Sequence, residues 1–321
     1  MIKVGIIGAA GYTGGELMRI LLNHPGCTIA YAQSRSQHGK KVNDVHTDLL
    51  GETELLFSDS FSQDVDIIFL CLGHSESKKF LAENDIAHKI RIIDLSKDFR
   101  LEGSSTNFIY GLPELNRDKI KSAENVANPG CFATAIQLAL LPLAKNILLK
   151  NEVHISGITG STGAGQKALD TTHFSWRTSN ISLYKAFTHQ HLSEIRQSFG
   201  QLQDGLRPEL HFLPYRGNFT RGIFISAYMD CDLSLAEAQA LYQNYYKTHP
   251  FVFLSDHNPD LKQVINTNKA IIHLQKHERK LLAVCVIDNL IKGASGQATQ
   301  NMNLMFNLDE TMGLKLKSIA F

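Results

Sequence analysis

The feature that most constrains this chain is its opening. A β-branched run, Ile2 to Ile7, leads directly into Gly8-Ala9-Ala10-Gly11-Tyr12-Thr13-Gly14, and helical spacing of Leu17, Ile20 and Leu21 follows. A buried strand, a glycine turn and a helix in that order form the first half of a βαβ unit. Glycines at the turn let the backbone approach a pyrophosphate, whose charge the helix N-terminus stabilises. The spacing is GxxGxxG, and Gly8, Gly11, Tyr12, Thr13 and Gly14 are the expected cofactor contacts.

Further alternation extends the unit. Thr28 to Gln33, Asp66 to Leu72 and Arg91 to Leu95 are short apolar runs suited to parallel strands covered on both faces, and Ser75 to Asn84 fits a helix between the last two. The expected fold class is therefore α/β, with a doubly wound parallel sheet. Where an NAD site places Asp or Glu at the end of the second strand, this chain has Ser34, Arg35 and Ser36 after Gln33. An arginine and two hydroxyls suit a 2′-phosphate, so the expected cofactor is NADP(H).

Past Gly130 the pattern changes. A helix starting near Ala133 is followed by alternating stretches at Val153–Ile158, Glu209–Phe212, Gly222–Asp230, Ala270–Gln275 and Lys280–Asp288. Ser234 and Glu237 form a capping box ahead of a helix to Lys247. This reads as a second, α+β domain, and 321 residues fit about two domains.

Between them lies Asn128-Pro129-Gly130-Cys131, a sharp turn that puts Cys131 at or near a helix N-terminus, where free N–H groups favour thiolate. The other four cysteines sit in apolar runs and read as core. A thiolate beside a nicotinamide cofactor points to acyl chemistry through a thioester, with a histidine as acid/base. His189-Gln190-His191 is the densest histidine pair, although a polar first turn of a helix explains it equally well.

Composition closes off other classes. Lys plus Arg is 32 against 31 Asp plus Glu, so no basic excess indicates nucleic acid. No apolar run reaches the ~20 residues a membrane span needs. Five scattered cysteines show neither CxxC nor Cys/His spacing, so no metal and no disulfide framework is expected, and a reducing cytoplasm fits.

Eight blocks along nearly the whole chain carry a resemblance. They are GAAGYTG at Gly8, DLSKDFRL at Asp94, YGLPELNR at Tyr110, NPGC at Asn128, TGSTGAGQK at Thr159, THQHLSEI at Thr188, RGIF at Arg221 and DNLIKGASGQATQNMN at Asp288. With these the chain resembles the N-acetyl-gamma-glutamyl-phosphate reductases, relatives of aspartate-semialdehyde dehydrogenase. The resemblance implies a Rossmann-type domain, residues 1–130 plus 294–321, with an inserted catalytic and dimerisation α+β domain, residues 131–293. It implies NADPH-dependent, reversible reduction of an acyl phosphate to a semialdehyde with release of inorganic phosphate. It also implies a homodimer or homotetramer.

By the same resemblance Cys131 is the nucleophile, and His189 or His191 the acid/base. Arg100, Ser161, Lys185 and Arg221 are expected to bind substrate. Gly163, Asn289 and Gln297 are expected to line the cofactor, with Gly165 in the same loop as Gly163. Some positions depart from the family pattern, among them Phe132-Ala133 after the cysteine, Lys97, Tyr215 to Asn218, and Asn266 to Asn268. An added cation, Arg216, suits an acidic acyl group such as succinyl in place of acetyl. An aminoadipyl phosphate reductase and an NADP-sensing binding protein are the competing readings.

Overall fold

The structure, a computed structural model, describes residues 1–103, 107–204 and 207–319. The chain divides into two compact units, Met1–Gly130 with Ala294–Lys315, and Cys131–Gly293 with Leu316–Phe321. The final segment of the chain thus groups with the second unit, whereas the sequence reading put it in the first. There the Asn266 side-chain amide donates to the Lys317 carbonyl.

The first unit is built on seven strands: β1 (Ile2–Ile7), β2 (Cys27–Gln33), β3 (Phe57–Ser58), β4 (Ile67–Leu70), β5 (Arg91–Asp94), β6 (Phe108–Tyr110) and β7 (Asn125–Ala127). All pair in parallel, in the order β3-β2-β1-β4-β5-β7-β6. The order reverses between β1 and β4, and an open sheet of this kind binds its ligand at that switch point, beyond the strand C-termini. Helices α1 (Tyr12–Leu21), α2 (Val42–Val45), α3 (Glu76–Glu83), α4 (Pro113–Lys121) and α9 (Gly296–Met305) complete the unit.

Strand alternation separates two cores. Val4, Ile6, Ile67 and Phe69 pack with Leu17 and Met18 of α1 and Met302 of α9. Ile7, Ile68 and Leu70 face the other way, onto Phe80 and Leu81 of α3. Helix α9 closes the first of these cores. Arg91 donates to the Met305 carbonyl at its end and lies over the Phe306 ring.

The second unit holds a mixed sheet of β8 (Glu152–Thr159), β9 (Ser182–Leu183), β10 (Glu209–Arg216), β11 (Ile223–Asp230), β12 (Val252–Leu254), β13 (Ala270–His277) and β14 (Lys280–Ile287). Its order is β12-β13-β14-β11-β8-β10-β9. The long strands alternate between buried and partly exposed residues, as in Val153, Ile155, Leu210 and Phe212 against His154 and His211. The buried side packs on α5 (Cys131–Lys145), where Phe132 meets Phe212 edge-on. Helices α6 (Phe174–Arg177), α7 (Leu192–Leu202) and α8 (Leu235–Tyr246) follow, and Ser234 and Glu237 make the capping box of α8.

Helix α5 is buried along its length and contains Pro142. Proline has no N–H, so the Leu138 carbonyl four residues back loses its helical donor. The buried Tyr246 hydroxyl of α8 donates to that oxygen at 2.6 Å, and Tyr242 donates to the next carbonyl, Ala139, at 2.5 Å. The proline in α5 and the two tyrosines of α8 thus form one packing unit. Tyr246→Phe should destabilise the protein by about 1–3 kcal/mol in denaturant unfolding, the cost of an unsatisfied buried carbonyl. The same change in a Pro142→Ala background should cost clearly less, because the helix then supplies the donor. Equal costs in both backgrounds would contradict this account.

Candidate active site

In the first unit, the glycine turn caps β1 at the switch point. Gly8 has φ +78°, and a Cβ there would lie 2.7 Å from the Cys71 carbonyl oxygen. A Cβ on Gly14 would lie 2.5 Å from the Ala9 carbonyl oxygen, so α1 can start this close to the turn only with glycine. Gly8 and Ala9 N–H groups donate to the Gln33 carbonyl, tying the turn to β2. Gly11 stands at the N-cap of α1 with no side-chain cap, and the first turn of α1 carries no acidic residue. Tyr12 and Thr13 begin that helix, Tyr12 39% exposed. These N–H groups suit an anion.

Just past β2, Ser34 is buried while Arg35 and Ser36 are exposed, and the two serine hydroxyls lie 3.4 Å apart. This stretch contains no carboxylate. The residues fit a dinucleotide, and an arginine with two hydroxyls fits a phosphate on its ribose.

Two other expected residues fall in this unit. Arg100 is buried and points inward, its Nε donating to the Asn128 carbonyl at 2.8 Å and its Nη2 to the Leu95 carbonyl at 2.9 Å. It braces the strand that leads to the Asn-Pro-Gly turn. Asn128 is further fixed by its side chain, which donates to the Ala294 carbonyl and accepts from Asn301. Gln297 is fully buried in the first turn of α9.

In the second unit, Cys131 opens α5 and is neither fully buried nor fully exposed. A thiol at a helix start meets unpaired N–H groups and the positive end of the dipole. A Cβ on Gly293 would come within 2.8 Å of the Cys131 Cβ, so the bare backbone of Gly293 forms one wall of the thiol's seat.

His189 stands close by. Its ring meets Phe132 at 5.4 Å, Tyr184 at 5.8 Å and His191 at 4.6 Å, all edge to face. Its Nδ1 accepts from the His191 backbone N–H at 3.3 Å, which leaves the proton of the neutral ring on Nε2. Burial, then the Lys185 and Arg216 charges, push the His189 pKa down to about 4. His191 sits at the N-cap of α7 with Nε2 4.0 Å from Glu194 Oε1. The Tyr184 hydroxyl is pushed up to about 12, by burial first and next by the nearby Cys131 charge. The Arg216 guanidinium lies 4.8 Å above the Tyr184 ring, and its buried Nε–H has no hydrogen-bond partner among the described residues.

The remaining expected residues surround this group differently. Lys185 is exposed, has φ +45° and donates to Gln190. Arg221 pairs with the fully buried Asp288 carboxylate at 3.2 Å. Ser161 and Gly163 lie in a single 3-10 turn ending at Gly165, and Thr162 in that turn accepts a bond from the Asn289 side chain. Asn289 also accepts from the Gly222 N–H at 2.7 Å. It is therefore a brace between the glycine turn and the start of β11.

Two residues were not singled out from the sequence. Tyr184 lies in no quoted block and left no signal. Asp288 opens the Asp288–Asn303 block, and its rank as a buried acid at a strand end was the available clue.

Comparison with known proteins follows the same division. Residues 3–123 match the family model described as semialdehyde dehydrogenase, NAD binding domain, and residues 131–289 match semialdehyde dehydrogenase, dimerisation domain. The chain is 55% identical over 322 residues, covering all of both chains, to proteins named N-acetyl-gamma-glutamyl-phosphate reductase from Parabacteroides distasonis and Bacteroides thetaiotaomicron. Among solved structures, aspartate semialdehyde dehydrogenase II from Vibrio cholerae, complexed with ASA, superposes with a TM-score of 0.75 at 16% identity. It covers 96% of this chain and 98% of that one. The Candida albicans aspartate semialdehyde dehydrogenase with NADP gives 0.70 at 12%, covering 95% and 98%. At these identities the two structures speak for the two-domain fold. The full-length identity and the two matching domain models together mean that the chain belongs to the N-acetyl-gamma-glutamyl-phosphate reductase family of semialdehyde dehydrogenases.

Proposed function

We propose that this chain reduces N-acetyl-gamma-glutamyl phosphate to N-acetyl-glutamate semialdehyde with release of phosphate, reversibly and with NADP(H). The observation that carries the proposal is Cys131 at the start of α5, walled by Gly293, beside Phe132, Tyr184 and a neutral His189.

The Cys131 thiolate attacks the acyl carbon, the acyl–phosphate bond breaks, and phosphate leaves with the bonding electrons. Gly8, Gly11, Tyr12, Thr13 and Gly14, with Ser34, Arg35 and Ser36, would hold the nicotinamide cofactor, which would supply the hydride when bound. Reduction of the thioester would leave negative charge on its oxygen, and a hydrogen-bond donor stabilises that charge. His189 serves here in preference to His191. Its Nδ1 is occupied by a backbone N–H, so the proton of the neutral ring sits on Nε2, which can donate a hydrogen bond to that oxygen while keeping its proton. The tetrahedral oxyanion then collapses to aldehyde as the C–S bond breaks and regenerates the Cys131 thiolate.

Arg216 brings a buried N–H that a substrate carboxylate satisfies, with Lys185 adding positive charge at the rim. Arg221, paired to Asp288, supports the loop of Ser161, Gly163 and Asn289 and acts as a positioning residue. Arg35 and the absence of an acid after β2 support NADP over NAD. The name of the second domain supports a homodimer or homotetramer. Free thiols at all five cysteines, four of them buried, support a reducing cytoplasm. Among the described residues, no helix is long and apolar enough to cross a membrane.

Three outcomes are expected. Wild-type protein should reduce NADP in preference to NAD when given N-acetyl-glutamate semialdehyde and phosphate, and Cys131→Ser should lower that rate by about 10³-fold or more. A wild type active only on the succinyl analogue would shift the acyl assignment and leave the chemistry in place.

Gly293→Ala should displace the thiol and lower kcat by roughly 10²-fold. Far-UV circular dichroism should stay native. An unchanged kcat would remove Gly293 from the site.

The third outcome concerns pH. Because the folded pKa of His189 is about 4 and the unfolded value about 6.5, the unfolded chain takes up the proton first as pH falls. Folded stability should therefore drop on the order of 3 kcal/mol between pH 6.5 and 4, and stay level above pH 6.5 as far as this group is concerned. His189→Asn should flatten that acid slope in denaturant unfolding, and an unaltered slope would refute the assignment.

A further inference from the structure

β8 and β10 pair in parallel with Glu209 opposite Glu152 and His211 opposite His154. Each strand therefore carries the same triplet, Glu152-Val153-His154 and Glu209-Leu210-His211. The strand period places the four polar side chains on one face, and Val153 and Leu210 on the buried face that packs toward α5. This cluster lies on the opposite side of the sheet from Phe132 and takes no part in the thiol site.

The geometry is convergent. Glu152 Oε2 lies 3.2 Å from His154 Nε2 and 3.7 Å from His211 Nε2, and His211 Nε2 lies 3.8 Å from Glu209 Oε1. Single donor atoms of Glu152, Glu209 and His211 all lie within 4.8 Å of one another. The ring planes are fixed by stacking. His154 stacks on Tyr228 at 4.9 Å and 11°, and on His211 at 5.0 Å and 26°. Both imidazoles thus turn their Nε2 edges toward one carboxylate.

Tetrahedral zinc with bonds of about 2.0–2.1 Å holds its ligand atoms roughly 3.3–3.5 Å apart. The separations found here straddle that range before any ion has drawn the ligands in. We propose that Glu152, Glu209 and His211 of the two Glu-x-His triplets form a binding site for a divalent cation of the zinc class, with His154 packed beside them. One imidazole nitrogen with two carboxylates matches zinc, cobalt or nickel, whereas magnesium and calcium take all-oxygen sets. The His154 and His211 side chains are 37% and 27% exposed, so an ion reaches the site from solvent. Bound there it clips β8 to β10. The Cys/His spacing sought in the sequence has no counterpart here, because the ligands come from two strands distant in the chain.

The test is a zinc titration of the chelator-treated, full-length protein by calorimetry, with cobalt absorption in parallel. One equivalent should bind the parent protein. Glu152→Gln and His211→Ala should each weaken that binding at least about tenfold while leaving semialdehyde turnover unchanged. Both are partly exposed positions, and an unshifted melting temperature without metal verifies the fold. Cys131→Ser should retain the site, and the cobalt spectrum should lack a thiolate charge-transfer band. Equal affinity and stoichiometry in parent, Glu152→Gln and His211→Ala would overturn the proposal. So would binding lost only in Cys131→Ser, or no binding at millimolar zinc.

Discussion

The candidate site depends on how one buried acid is satisfied. The Asp288 carboxylate is fully buried at the end of β14 and accepts from the Leu290, Ile291 and Asn266 backbone N–H groups and from Arg221. A buried carboxylate is tolerated only with such a set of donors. Its own carbonyl accepts the Gly293 N–H at 2.9 Å, which bends the chain so that Gly293 backs onto Cys131. The neighbouring Asn289 side chain ties the turn at Thr162 to Gly222. Two consecutive residues thus fix the wall of the thiol, the glycine loop and the start of β11.

Electrostatics then separate the roles of the titrating groups. A histidine exposed to water would be partly protonated near neutrality. His189 is instead held neutral, by burial first and by Lys185 and Arg216 next. The cations that keep it neutral are the ones that the proposed function assigns to substrate anions. The backbone N–H on its Nδ1 selects the tautomer with the proton on Nε2.

Much of the fold was legible because parallel strands covered on both faces are continuous apolar runs. Ile67–Leu70 and Arg91–Asp94 were read from that alone, and the observed strands lie inside the expected stretches. The long strands of the second sheet were legible from alternation. Short strands such as Phe108–Tyr110 and Ser182–Leu183 were not, since two or three residues carry no period. Cys131 at a helix start followed from Pro129 and Gly130, although the helix begins two residues before the Ala133 start that the apolar run indicated. Arg100 and Arg221 were expected to meet substrate, yet the structure gives them inward partners, Asn128 and Asp288. A sequence shows a guanidinium but not which carbonyl or carboxylate lies within its reach. Tyr184 and Arg216 reach His189 only through tertiary folding of β9 and β10, which no local spacing encodes.

The central claim is that the Cys131 thiolate becomes covalently acylated. The most direct measurement is mass spectrometry of protein mixed with N-acetyl-gamma-glutamyl phosphate in the absence of nicotinamide cofactor, acid-quenched and digested. The account predicts an acyl adduct on the peptide that contains Cys131, discharged when NADPH is added before the quench. An adduct on another residue, or turnover-competent protein that never carries one, would contradict it.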